Sequence, residues 1–431
     1  MSDVGLACNK VAGCVGAVNA IPDGWSLDKL ENFVTNKILG TTSRGTGLSN
    51  VLLLKMGNLK GGRINYDKVE YVENKEELQS LTLEYGDFLF NTRNTPELVG
   101  KVSNFCEKRL KAVYDNNLLR LKFNDYIDPI YMGYLFNLGS TVQQLKQIVA
   151  GTTSVAAIYW KDLALLKQIV PPLPEQQKIA QILTSVDEVI EKTQAQIDKL
   201  KDLKTAMMQE LLTKGIGHVE FKDTPVGRIP VGWGLTTLGE IGKWKGGGTP
   251  SKANESYWRG QIPWVSPKDV KVEYISKTKD SISMEAILGS STNLVEKGSL
   301  LIVVRSGILQ HTLPIAIANC DLTINQDMKA LTLSPNFCAL YVYHYLLANN
   351  HNVLRATLKA GNTVESIDFA AFTTYQIPSP PLIEQVKIAD AVESVAINIR
   401  KKEQAMCSYK NMKKALMQDL LTGKVRVCVN E

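Results

Sequence analysis

Long apolar runs are missing from this chain of 431 residues. The best candidate, Leu300–Val304, stops at Arg305, well short of the ~18 residues a membrane helix needs. The first twenty residues lack a basic start and an unbroken apolar centre, so no signal peptide is read there. Cysteine is sparse: seven residues, an odd number, with no Cys-x-x-Cys pair. That argues against a disulfide framework and against a structural zinc site, and it places the chain in the cytosol. The four histidines (His218, His311, His344 and His351) stand at no metal-ligand spacing. His344 and His351, which could share a helix face, read as packing or surface residues rather than ligands. A strong charge of one sign is also missing. The net charge of +6 fits a nucleic-acid partner without demanding one.

Catalytic motifs are absent too. There is no G-x-x-x-x-G-K-[ST], no G-x-G-x-x-G and no H-E-x-x-H. Gly246-Gly247-Gly248 lacks the Lys-Ser/Thr pair of a phosphate-cradling loop. No Asn-Pro-Pro-aromatic or Asp-Pro-Pro-aromatic tetrapeptide occurs, which speaks against an adenine methyltransferase. No catalytic residue, metal site or cofactor is therefore assigned to this chain.

What is present is ordinary globular composition, 44% hydrophobic and 21% charged, with length for two to four domains, and a long-period repeat. Pro171-Pro172-Leu173-Pro174-Glu175-Gln176-Gln177-Lys178-Ile179-Ala180 returns as Pro380-Pro381-Leu382-Ile383-Glu384-Gln385-Val386-Lys387-Ile388-Ala389. The likeness runs without a gap to Met208–Thr213 and Met417–Thr422. Ile21-Pro22-Asp23-Gly24-Trp25 likewise returns as Ile229-Pro230-Val231-Gly232-Trp233. The period of about 209 residues excludes a solenoid, whose repeats are far shorter. Between the markers only fragments match: Glu84–Asp87 with Arg93 echoes Glu296–Ser299 with Arg305, and Gly151-x-Thr153 echoes Gly361-x-Thr363.

These markers divide the chain into a leader (1–20), a variable domain (21–170), a shared segment (171–215), a second variable domain (229–378) and a second shared segment (379–423). The shared segments read as uninterrupted helices of about 38 residues, roughly 57 Å each. Ile179, Leu183, Val186, Ile190, Ile197 and Leu200 recur at alternating steps of a coiled-coil seam, as do Ile388, Val392, Val395, Ile399, Met406 and Leu416. Two seams in one chain predict an antiparallel pair. Lys204 and Lys413, at equivalent seam positions, are expected to snorkel to solvent. The variable domains read as α+β. Strands are predicted at 51–56, 85–90, 118–123, 300–304 and 329–333, and helices at 130–136, 141–148 and 340–347.

Polar, glycine-bearing loops hold the candidate binding residues. In the first domain these are Arg44, Asn58, Lys60, Arg63, Arg93 and Asn94, with Thr46 and Gly47 beside Arg44. In the second they are Lys245, Thr249, Ser251, Lys252, Lys268, Arg305 and Ser306. Arg pairs with guanine and Asn with adenine, while Lys and Ser hold phosphates. Arg93 and Arg305 stand out because each falls just after a strand at matching places. Tyr257 and Trp258 read as core or hinge residues rather than base-stacking ones.

Together these motifs resemble the specificity subunit of Type I restriction–modification enzymes over almost the full length. The resemblance rests on 171–180 and 380–389 heading long helices, on Ile-Pro-x-Gly-Trp opening each variable domain, and on Gly248–Ser251 through Tyr257-Trp258 to Ile262-Pro263-Trp264. It implies two α/β target recognition domains separated by two long antiparallel coiled-coil helices, with a pseudo-two-fold internal repeat. It also implies double-stranded DNA as ligand, each domain reading half of a bipartite, asymmetric site while the helices set the gap. The implied partners are two methyltransferase subunits using S-adenosylmethionine for adenine N6 methylation. Two ATP- and Mg2+-dependent restriction subunits can join them to cleave DNA. Such a subunit is not itself an enzyme, acts in the cytoplasm and involves no membrane. The leader has no counterpart in that pattern. The competing readings are a fused methyltransferase–nuclease, a coiled-coil adaptor that never touches DNA, and the specificity subunit of a methyltransferase-only system.

Overall fold

A computed structural model describes residues 21–45, 51–152, 155–359 and 364–428. The leader lies outside them, as do Thr46, Gly47, Thr153, Gly361 and Thr363. Contacts divide the chain into two units, 1–193 with 405–431 and 194–404. Each long helix contributes residues to both units. Among the described residues no helix is long and apolar enough to cross a membrane.

In the first unit, the strand Ser26–Lys29 pairs antiparallel with Lys167–Val170, Ser26 opposite Val170, and closes the domain's two ends together. A four-stranded sheet runs in the order Val34–Leu39, Leu118–Phe123, Phe88–Asn91, Val102–Asn104. A three-stranded sheet has Val51–Leu54 between Ala112–Tyr114 and Glu70–Val72. The strand Phe88–Asn91 is buried along its whole length because both faces are covered. Alternation sends Phe88 and Phe90 into a core with Tyr131, Leu135 and Phe136. Leu89 points the other way, against Leu52, Leu54 and Tyr114.

The second unit repeats this logic with different side chains. Gly234–Thr237 pairs with Gln376–Ser379, Gly234 opposite Ser379. Leu300–Val303 is the middle strand of a five-stranded sheet, flanked by Met328–Leu333 and Ile315–Ala318. Leu300 and Ile302 face a core with Tyr341, Val342 and Leu346. Leu301 and Val303 face Val265, Leu322 and Ile324.

The long helices span Leu173–Lys214 and Leu382–Leu421, 42 and 40 residues, about 63 and 60 Å. The first carries Pro174 in its first turn, where the missing N–H is harmless. Their hand is antiparallel. Ile179, Leu183, Leu420 and Leu421 share the first unit's core, and Leu212 and Ile388 share the second's. Asp187 meets Lys413 at 2.7 Å, and Lys201 meets Glu403 at 2.8 Å. Between these ends Ile197, Val392, Val395, Ile399 and Met406 are buried, while Val186, Ile190, Leu200 and Leu416 are half-buried. Lys413 does not snorkel. It is spent on Asp187 and lies 5.3 Å from the centre of the Tyr134 ring.

Candidate nucleic-acid interface

The doubly buried strand of each unit delivers one arginine to the surface. After Phe88–Asn91 the chain forms a second short pairing, in which Arg93 lies opposite Ala157. After Leu300–Val303, Arg305 bridges Ser366. Ala157 and Ser366 are 209 residues apart, so the two arginines occupy matching positions. Gly86 and Gly298 enter these strands through turns with φ of +93° and +88°, which only glycine adopts without strain. The side chains then differ. Arg93 is exposed and forms no ion pair among the described residues. Arg305 is exposed, but its Nε donates to Asp327 Oδ1 at 2.6 Å.

Two expected binding residues are redirected. Asn58 is buried and its amide is fully used: Oδ1 accepts from Lys55 N, and Nδ2 donates to the carbonyls of Asn65 and Lys68. It stabilises its own loop and presents nothing to a base. Arg63 turns onto the first long helix, where it pairs with Asp187 and Glu191. The hairpin carrying it, Lys60 opposite Arg63 across Gly61-Gly62, leaves Lys60 exposed. Arg44 is exposed as well. Asn94 is half-buried, its Oδ1 accepting from Thr95 N.

In the second unit Ser251, Lys252 and Lys268 are exposed, and Lys252 lies 6.0 Å from the Trp258 ring centre. Thr249 is exposed and donates to Gln326. Lys245 is partly spent on the Leu294 carbonyl at 3.1 Å. The Ser306 hydroxyl caps the short helix Gly307–Gln310. Tyr257 and Trp258 pack against Trp264 and Ile282, with the Trp258 and Trp264 rings edge to face at 5.2 Å.

Trp25, Glu175, Gln176 and their copies, which mark the repeat in the sequence, fasten the long helices to the domains. Glu175, in the first turn of its helix, accepts from the Trp25 indole at 3.2 Å and takes Arg426 bidentately at 2.8 Å. Glu384 accepts from the Trp233 indole at 2.9 Å, from Ile216 N and from His218. Gln176 ties its helix to the Tyr126 and Pro171 carbonyls and to Asp128 N. Gln385 makes the same three bonds to Asn336, Pro380 and Cys338. In each unit a clasp thus joins the domain's opening Trp, the head of one long helix and the segment that follows the other. Gly215 and Gly423 make the exit possible with φ of +67° and +71°. A Cβ there would strike Glu384 and Trp233, or Pro22. The signal was available: the Ile-Pro-x-Gly-Trp and Glu-Gln pairs repeat at nearly one offset.

Of the histidines, His344 is a packing residue, one of the two roles the sequence predicts for it. It is wholly buried, and burial, with a smaller push from Lys204, drives its pKa down to about 4.

Two like units, each an α+β body seated on a shared pair of antiparallel helices, define a duplicated recognition-domain architecture. A family model for the Type I restriction modification DNA specificity domain matches residues 53–202 and again 230–405, and the chain belongs to this family. It is 37% identical over 219 residues to the Type I restriction enzyme EcoR124I/EcoR124II specificity subunit of Escherichia coli. That match covers 51% of each chain, so it spans about half the relative's length. Over 426 residues it is 28% identical to the putative Type I restriction enzyme MjaX specificity subunit of Methanocaldococcus jannaschii, covering 95% and 96% of the two chains. Among solved structures, the S subunit of a Type I restriction–modification system from M. genitalium aligns with a TM-score of 0.59 at 14% identity, over 92% of this chain and 96% of that one. A chain from a structure of Type I system assembly and conformational transition aligns at 0.55 and 17% identity, over 94% and 100%. At these identities the structural likeness speaks to fold.

Proposed function

We propose that this chain reads DNA for a Type I restriction–modification assembly, without catalysis of its own. Each recognition domain contacts one half of a bipartite, asymmetric site. The long helices set the spacer and recruit two methyltransferase subunits for adenine N6 methylation, to which ATP-dependent restriction subunits add DNA cleavage. S-adenosylmethionine, ATP and Mg2+ belong to those partners. The observation that carries this reading is one frame used twice with unlike loops: Arg93 and Arg305 leave matching strands amid different neighbours. Two copies of a frame suit the local two-fold symmetry of duplex DNA, and unlike loops suit unlike half-sites.

The test is to map N6-methyladenine in DNA from cells that express the chain with its methyltransferase. The expected result is one split, non-palindromic motif. A continuous or palindromic motif, or methylation unchanged when this gene is deleted, overturns the reading. Removing one heptad from each helix, about 10 Å, should change the spacer by about three base pairs and leave both half-sites intact. An unchanged spacer removes the helices from that role.

A further inference from the structure

Three side chains distant in sequence converge in the second unit. Glu273 precedes the strand Tyr274–Ile275, His344 lies within the helix Ala339–Ala348, and Glu393 is on the second long helix. One ligand atom from each lies within 4.8 Å of the other two. His344 is wholly buried, and neither ring nitrogen has a hydrogen-bond partner in the chain. Glu273 Oε1 and Glu393 Oε2 are buried and unpartnered as well. Their other oxygens are held by one guanidinium: Arg400 reaches Glu273 Oε2 at 3.3 Å and Glu393 Oε1 at 2.5 Å. Two carboxylate oxygens and an imidazole, which carries one lone pair and one N–H, therefore meet without a hydrogen bond to any of the three free positions.

The first unit shows what a satisfied version looks like. Tyr134 stands three residues after Tyr131, as His344 stands three after Tyr341, and Thr184 lies 209 residues before Glu393. There the Tyr134 hydroxyl reaches Thr184 at 3.2 Å and donates to Asp187 at 2.8 Å, and Lys413 neutralises Asp187. Tyr134, Thr184, Asp187 and Lys413 each have a partner there. At the matching place the second unit gathers three ligands and leaves them open. Buried polar groups are rarely left so, and a missing ion is one of the few remedies.

We propose that Glu273, His344 and Glu393 bind one divalent transition-metal ion, with zinc best matched to an imidazole and two carboxylates. Zinc bonds of about 2.0–2.2 Å set ligand atoms about 3.3 Å apart, so the glutamates close by about 1.5 Å or less. Arg400 acts as the outer partner that orients both carboxylates. The ion fastens the second recognition domain to the long helix, giving it a structural role. Lys204, whose charge acts on both Glu273 and His344, opposes the ion and weakens binding.

The full-length chain is stripped with a chelator and titrated with zinc alone, followed by elemental analysis and thermal unfolding. We expect about one zinc per chain and a raised Tm. Glu393→Gln and His344→Gln should each lose at least tenfold in affinity, and Lys204→Met should gain several-fold. Cobalt in place of zinc should give visible bands of a nitrogen–oxygen site without thiolate charge transfer, which separates it from the cysteines. Should His344→Gln fail to fold, the partly exposed Glu393→Gln carries the test. A folded wild-type chain that takes up no zinc overturns the proposal. So does zinc bound undiminished by Glu393→Gln, or a thiolate spectrum.

Discussion

The same sheet position is filled differently in the two units. In the first, Asp87 precedes the doubly buried strand and takes Lys122 at 2.5 Å and the buried Arg120 at 3.3 Å. In the second, Ser299 stands where Asp87 does, and its hydroxyl meets that of Thr332 at 2.9 Å. By strand register Thr332 is the counterpart of Lys122, and Ala330 that of Arg120. An ionic interior has been exchanged for a neutral one without changing the strand order around it. The clasps behave the opposite way. Trp, Glu and Gln are kept in both units, and the remaining partners of the glutamate change, Arg426 in the first and His218 with Ile216 N in the second. A sheet interior accepts either filling, the ionic one leaving only Arg120 Nε unpartnered among the side-chain atoms of these residues. The attachment to the helices recurs with little variation, because it must receive the same helix in each case.

The largest test of this contrast is Asp87→Ala against Ser299→Ala. Removing Asp87 leaves Arg120, whose side chain is only 5% exposed, with the Thr82 and Ser80 carbonyls but no counter-charge, and breaking a buried pair in this way costs about 3–5 kcal/mol. Removing the Ser299 hydroxyl loses one neutral hydrogen bond, about 1 kcal/mol. Urea unfolding at constant m-value reads the difference. Equal losses would mean that the ionic interior contributes nothing special.

A smaller effect separates the clasps by pH. Burial pushes the Glu384 carboxyl up, but hydrogen bonds from Ile216 N, the Trp233 indole and His218 outweigh it and hold it below its ordinary value of 4.5. A depressed carboxylate contributes stability that is fully present above the unfolded pKa and is lost as pH falls through the folded one. Glu384→Gln should therefore cost about 1.5–3 kcal/mol at pH 7 and progressively less below pH ~4.5. A deficit that stays constant across that range would sink the assignment.

Much of the frame is legible in the sequence. The strand Leu300–Val303 announced itself as a short apolar run, and the long helices as heptads bounded by Pro and Gly. The inward turn of Asn58 is not legible, because composition shows a polar loop but not which amide turns inward. The pairing of Arg63 is not legible, because its partners, Asp187 and Glu191, lie more than a hundred residues away. The Glu273–His344–Glu393 cluster was invisible for the same reason: ligand spacing finds sites built on one element, and this one draws on three.

The finest contrast lies between the matching arginines. Arg93 is free to meet a base or phosphate, whereas Arg305 must first give up Asp327. On the reading proposed above, Arg93→Ala should weaken binding to DNA carrying the first domain's half-site by about 1–3 kcal/mol. Arg305→Ala should cost the second half-site less, because part of that contact is already offset by the lost ion pair. Asp327→Asn turns the comparison around. It releases Arg305 while keeping an acceptor for the Asn325 amide, which now bonds Asp327 Oδ2 at 3.1 Å. Affinity should then rise, and the salt dependence should steepen by about one counterion. Gel-shift titrations at several salt concentrations, with the methyltransferase subunit present, measure both. If Asp327→Asn leaves the slope unchanged, Arg305 does not reach a phosphate, and the matching position of the two arginines reflects the repeated frame alone.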